Sequence, residues 1–117
     1  MGEDVAASFL NERGHDVVVR RFRTRRGELD IVTRSGRHLY FIEVKTRRAK
    51  EGRGRFGDGF EAVTRRRQRT MDTLARTLMC RRPELSDLIP HFAVLTVEEG
   101  ETSRRVRFLP DAFDAAR

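Results

Sequence analysis

Glu43 stands inside Leu39-Tyr40-Phe41-Ile42-Glu43-Val44-Lys45-Thr46, a run that otherwise reads as a buried strand. An unpartnered carboxylate in such a place costs on the order of several kcal/mol or shifts its pKa. Upstream, Gly27-Glu28-Leu29-Asp30-Ile31-Val32 sets a second carboxylate, Asp30, among apolar neighbours. Hard cations such as Mg²⁺ are held by carboxylate oxygens and drive phosphoryl chemistry, so the pair points to a metal-dependent nuclease centre. Glu43 and Lys45 are two apart on a strand and share a face. Asp30 reaches them from the neighbouring strand, across the Ser35-Gly36-Arg37 turn, facing Ile42 or Glu43 according to the register. Lys45 then sits one step further along, where an attacking water could be held. Glu28 reads either as a third acid or as the polar start of its strand near Arg26. Glu3, in the first turn of a helix, is ordinarily a dipole partner, and gains interest only if that turn packs over the face carrying Glu43.

A second grouping lies at Arg65-Arg66-Arg67, where a helix begins and its dipole already carries positive partial charge. Three arginines there are unfavourable unless an anion binds, and free backbone N–H groups at a helix start form a phosphate site. A solvated charge run is the plain alternative. Gln68 follows, as a phosphate donor or an ordinary surface residue. Lys45 and Lys50 are the only lysines among 25 basic residues, which makes the placement of Lys45 more telling: lysine is a compact point charge, arginine a flat fork.

The elements that must position these groups follow from periodicity. Glu3 to Arg13 predicts a helix with Val5, Ala6, Phe9 and Leu10 as its apolar stripe, stopped by Gly14. Asp16 to Arg23, Glu28 to Arg34 and His38 to Thr46 predict three strands joined by short turns, hence an antiparallel meander. In the third strand Tyr40, Ile42 and Val44 point one way, and Leu39, Phe41, Glu43 and Lys45 the other. Apolar on both faces, it is expected at the centre, with helices on both sides. Arg47 to Gly59 is a basic, glycine-rich loop, expected to be mobile without a ligand. Arg65 to Arg81 predicts a second helix, N-capped by Thr64, burying Met71, Leu74, Ala75 and Leu78. His91 to Glu98 and Arg104 to Leu109 predict two more strands, the last at an edge, and the tail after Pro110 one helical turn. The order α-β-β-β-α-β-β gives an α/β fold, a mixed sheet flanked by helices.

The 117 residues suit one domain spanning 1–117, and charged residues reach 37% against about 25% in an average domain. The net charge of +7 favours an anionic partner, nucleic acid first, although an arginine-biased proteome would decorate any surface in the same way. Cys80 is the sole cysteine, which excludes an intrachain disulfide and a Cys–His zinc spacing and fits a reducing cytoplasm. His15, His38 and His91 are far apart in sequence and predict no histidine cluster. No secretory h-region and no run near the about 20 apolar residues of a membrane span occur, so no membrane partner is expected. No small-molecule cofactor is expected either.

Several stretches together resemble the bacterial YraN-like family: Gly2-Glu3 with Ala6 and Phe9-Leu10, Gly27-Glu28-Leu29-Asp30, Phe41-Ile42-Glu43-Val44-Lys45-Thr46-Arg47, Glu61-Ala62-Val63, and Arg67-Gln68. That family is similar to archaeal Holliday-junction resolvases and has the restriction-endonuclease-like, or tRNA-endonuclease-like, fold. The resemblance covers nearly the whole chain, and the combination of motifs is specific where a lone Glu-x-Lys would not be. The PD-(D/E)XK nuclease pattern implies roles by match. Asp30 is the motif aspartate, Glu43 the second metal ligand and Lys45 the catalytic lysine. Glu3 matches the helix-one glutamate that completes the metal site, and Gln68 a helix-two glutamine. The sequence departs from the pattern in placing Leu29, not proline, before Asp30. It also begins almost at Glu3, so helix one is expected to fray there.

These readings imply a Mg²⁺- or Mn²⁺-dependent endonuclease acting on DNA. Asp30, Glu43 and the Val44 carbonyl would hold the ion, and Lys45 would serve the attacking water. Arg47, Arg48, Lys50, Arg53, Arg55 and Arg65 to Arg67 would hold the phosphate backbone, without reading base sequence. Branched DNA follows from the resolvase resemblance alone, and symmetric cutting of two strands would require a homodimer. The alternatives are a non-catalytic nucleic-acid-binding module and an RNA nuclease.

Overall fold

The computed structural model describes residues 2–48 and 63–114. Helix α1 (Gly2–Glu12) leads into β1 (Asp16–Thr24), β2 (Gly27–Ser35) and β3 (His38–Arg48). Helix α2 (Arg65–Arg81) and a 3₁₀ turn (Pro83–Leu85) follow, then β4 (Ile89–Glu99) and β5 (Arg104–Phe113). The strands form one sheet in the order β1-β2-β3-β4-β5. β1–β2, β2–β3 and β4–β5 pair antiparallel, whereas β3 and β4 run parallel, joined through α2. The sheet is therefore mixed and β3 is its centre, as its two apolar faces require.

The alternation in β3 sorts the core into two layers. Leu39 and Phe41 pack with Met71, Leu74, Ala75 and Leu78 of α2. Ile42 packs with Ala6 and Leu10 of α1, and Tyr40 and Val44 lie against that second cluster. Gly14, at φ 85, ends α1 in the left-handed conformation that glycine adopts freely. Thr64 caps α2, its hydroxyl accepting from the Arg67 amide. The first turn of α1, expected to fray, is tied to β1: Arg20 donates to Asp4 at 2.8 Å and Arg21 to Glu3 at 2.9 Å.

Two expectations need correction. β5 does not end at Leu109 with a helical turn after Pro110; it continues as strand through Phe113. An edge strand tolerates a proline because its missing N–H can face solvent, and His91 of β4 reaches the extension through Asp111 (Nδ1···Oδ1 2.6 Å). The histidines, separated in sequence, do meet: His38 Nδ1 lies 2.7 Å from His91 Nε2, with Tyr40 stacked on the His91 ring at 4.6 Å. The parallel pairing of β3 with β4 brings them together. Lys50, Arg53 and Arg55 lie outside the described residues, as do the other positions from 49 to 62. Among the described residues no helix is long and apolar enough to cross a membrane.

Candidate active site

The site lies where β2 and β3 part. Their pairing runs from Ser35↔His38 to Ile31↔Ile42 and stops there. Continued by one step, the register sets Asp30 beside Glu43. At that point the Asp30 carboxylate takes the place of a ladder carbonyl, with Val44 N–H donating to Oδ2 at 2.8 Å. In a ladder a residue offers its N–H and C=O to the same neighbouring strand, so the Val44 carbonyl also projects from the β2-facing edge.

A paired break in β1 and β2 aims Asp30. Leu29 belongs to the α2-side core and Ile31 to the α1-side core, so strict alternation fails at Asp30. Opposite, Arg20 pairs Ile31 and Phe22 pairs Leu29, while Arg21 between them has φ 54, a rare conformation for a residue with a Cβ. Such outliers persist where the surroundings over-determine them, and the Arg21 side chain is anchored on Glu3.

Two close approaches bring the helices to this end of the sheet. A Cβ at Gly2 would overlap the Thr46 hydroxyl, so glycine lets the start of α1 sit against β3 without that side chain shifting. A Cβ at Gly27, whose φ is 145, would lie 3.0 Å from Thr70 Cγ2 of α2. Glycine at both positions lets Glu3 approach from one face and Arg67 from the other.

Asp30 has its pKa raised, first by burial, with the Val44 amide opposing; the charges of Glu3 and Glu43 push it further up and Arg67 pulls it down. A half-buried carboxylate in the field of two more is a site that favours a cation. Arg67 supplies one. Its Nε donates to Glu43 Oε1 at 2.6 Å and its Nη2 to the Glu28 carbonyl at 2.8 Å. Arg67 therefore turns inward, whereas its sequence neighbours Arg65 and Arg66 stay exposed.

The other candidates sort by these contacts. Lys45 is half-buried on β3, in register with Thr96 of β4. Glu3 is held by Arg21, and among the described residues no three His, Cys, Asp or Glu side chains close to metal-ligand distance. The charge of Glu3 nonetheless reaches Asp30. Glu28 pairs with Arg23 across the β1–β2 ladder at 2.9 Å. Gln68 donates to the Val63 carbonyl at 2.8 Å, where it secures the entry to α2. Arg47 and Arg48 end β3 as strand rather than beginning a loop. Sequence reasoning missed the Arg67–Glu43 contact, the Arg21 anchor and the buried carboxylate Glu98, which lies in register between Arg47 and Arg105. The one available signal was three arginines at an unfavourable helix end.

The donor set fits a hard divalent ion. Mg²⁺ is ordinarily bound through one or two carboxylates, with waters and substrate phosphates completing its shell. Asp30, Glu43 and the Val44 carbonyl supply oxygen donors of that kind without Glu3.

The profile of the uncharacterised protein family UPF0102 matches residues 2–98, a span that includes Asp30, Glu43, Lys45 and Arg67. The chain belongs to that family. It is similar to the UPF0102 protein of Symbiobacterium thermophilum, at 40% identity over 97% of this chain and 93% of the relative. The UPF0102 proteins of Geobacter metallireducens, 33% identical over 98% and 90%, and Frankia casuarinae, 39% identical over 96% and 92%, are similar along their length.

Proposed function

We propose that this UPF0102 protein is a metal-dependent endonuclease of the restriction-endonuclease-like, PD-(D/E)XK type, cutting DNA phosphodiester bonds with Mg²⁺ or Mn²⁺. The observation that carries the reading is the meeting of Asp30, Glu43 and the Val44 edge where β2 and β3 separate, with Lys45 two residues beyond Glu43 on the same face. The mixed five-stranded sheet with a helix on each face suits that fold.

Asp30 and Glu43, with the Val44 carbonyl, would hold the ion, which when bound supplies Lewis acidity at the scissile phosphate. Lys45 holds the attacking water and offsets negative charge as it builds on the phosphoryl oxygens. The water oxygen bonds to phosphorus as the bond to the leaving oxygen breaks; the water proton passes to solvent, and the leaving oxygen takes a proton from solvent. Arg65 and Arg66, with Arg47 and Arg48, hold the backbone on either side by charge, which carries no base sequence information. Lys50, Arg53 and Arg55 would add to this hold. Branched DNA is the substrate proposed from the resolvase resemblance, and cutting both strands would employ a homodimer.

One observation favours a second reading, a nucleic-acid-binding module without catalysis: Arg67 already neutralises Glu43. A cleavage panel of single-stranded, duplex, flap and four-way-junction DNA, with an RNA counterpart, separates the two. Metal-dependent cutting by the wild type, lost in Asp30→Ala, Glu43→Ala and Lys45→Ala while binding persists, is the expected result. Tight binding with no metal-dependent cutting of any substrate would establish the binding module instead.

A further inference from the structure

We propose that Arg67 is a resident cation at Glu43, which a divalent ion must displace, and that the phosphate backbone of the nucleic acid draws it away. This rests on the nuclease reading above and assigns that site a form of regulation. The Arg67–Glu43 contact is short, at 2.6 Å, and poorly screened, the two side chains being 28% and 17% exposed. A charge-assisted bond of this length is among the strong ones. A divalent ion held through Glu43 Oε1 would stand beside the guanidinium that now donates to that oxygen. Close binding of both cations at that carboxylate is therefore unfavourable. Arg67 supplies positive charge beside the half-buried carboxylates of Asp30 and Glu43.

A destination for the released guanidinium is close by. Arg67 lies in the first turn of α2, where the helix dipole opposes a cation and favours an anion. Arg65 and Arg66 are exposed on the same turn. A backbone phosphate arriving there offers the planar fork a bidentate partner in exchange for Glu43. Nucleic acid and metal then promote one another's binding, since linkage is reciprocal.

The test uses the full chain and Mn²⁺ as probe, with binding followed by electron paramagnetic resonance in the absence of nucleic acid. Arg67→Gln keeps an amide donor for the Glu28 carbonyl while removing the charge, so the helix start retains a tie to β2; Arg67→Ala serves as a second variant. Arg67→Gln is expected to bind Mn²⁺ about tenfold more tightly than wild type, the size of a moderate coupling. Arg69→Ala, which removes an exposed charge two residues away on α2, is expected to change affinity less than about twofold. In wild-type protein the Arg67 Nε–H resonance should move when Mg²⁺ is added, and again when a phosphorothioate oligonucleotide is added without metal. Binding abolished by Glu43→Gln but equal in wild type, Arg67→Gln and Arg67→Ala would overturn this proposal and leave the metal site standing. An Nε–H signal unmoved by the oligonucleotide would overturn the phosphate step. No Glu43-dependent Mn²⁺ binding in any variant would overturn the metal reading and this proposal with it.

Discussion

Asp30 and Glu43 are adjacent acids with opposite consequences for stability. Burial and the charges of Glu3 and Glu43 raise the Asp30 pKa in the folded state. The folded protein therefore holds this proton more firmly than the unfolded chain, and stability falls as pH rises from the unfolded value near 3.8 through the raised folded value. Asp30→Asn, which can still accept from Val44, is expected to stabilise the protein near neutral pH by roughly 0.5–2 kcal/mol, the usual size of gain from relieving a functional site. The gain should vanish below about pH 3.8, where both states carry a protonated aspartate. Glu43→Ala should do the reverse, leaving Arg67 half-buried without its carboxylate and costing about 1–3 kcal/mol. Urea denaturation of both variants at neutral and acid pH checks the pair; stabilisation by both, or loss by both, would contradict this electrostatic picture. At this scale the sequence was largely readable, because a carboxylate in an apolar strand announces itself. Arg67 was not, since its partner lies 24 residues away on another element. Nor was Glu3, whose orientation depends on the backbone of Arg21.

Strand and helix identities were legible because β3 alternates cleanly and α2 carries a regular apolar stripe. The break at Arg21 and Asp30 was not, because a period of two assumes the regular pleat that this pair of residues interrupts. The β5 extension was missed because proline usually ends a strand, a rule that edge strands escape. The two tight glycines are where element positions can be tested. Gly27→Ala would force a Cβ into a left-handed backbone and against Thr70, and is expected to cost about 1–3 kcal/mol. It should also push α2 outward, lengthening the Arg67–Glu43 contact, so Mn²⁺ binding would change along with the melting temperature. Gly2→Ala acts only at the start of α1, through Thr46. It should disturb the placement of Glu3 while leaving global unfolding nearly unchanged. Equal melting losses in the two variants would show that they do not act through separate helix contacts.

For the molecule as a whole, the excess of basic residues predicted an anionic partner but not the surface that meets it. Some described arginines pair with acids of the same chain, as in Arg67–Glu43 and Arg21–Glu3, and others, such as Arg65 and Arg66, are exposed. If the exposed set holds phosphates, duplex affinity should fall with salt at a log–log slope of about −0.9 per phosphate neutralised, and Arg66→Ala should reduce that slope by about one unit. His15 gives the fold a separate pH dependence. Buried beside Thr33 (Nδ1···Oγ1 2.8 Å), it has a pKa lowered by desolvation. The unfolded chain takes up that proton first, so stability should fall as pH drops through about 6.5, and His15→Asn should flatten the trend. The central claim is that Asp30 and Glu43 hold an ion that breaks phosphodiester bonds. Its most direct test is single-turnover cleavage of a labelled four-way junction in Mg²⁺, at protein concentrations that saturate binding for every variant. Cutting by wild type, slowed by about 10²–10³-fold or more in Asp30→Ala and Glu43→Ala at equal occupancy, is the expected result. Cutting that survives both substitutions would contradict it.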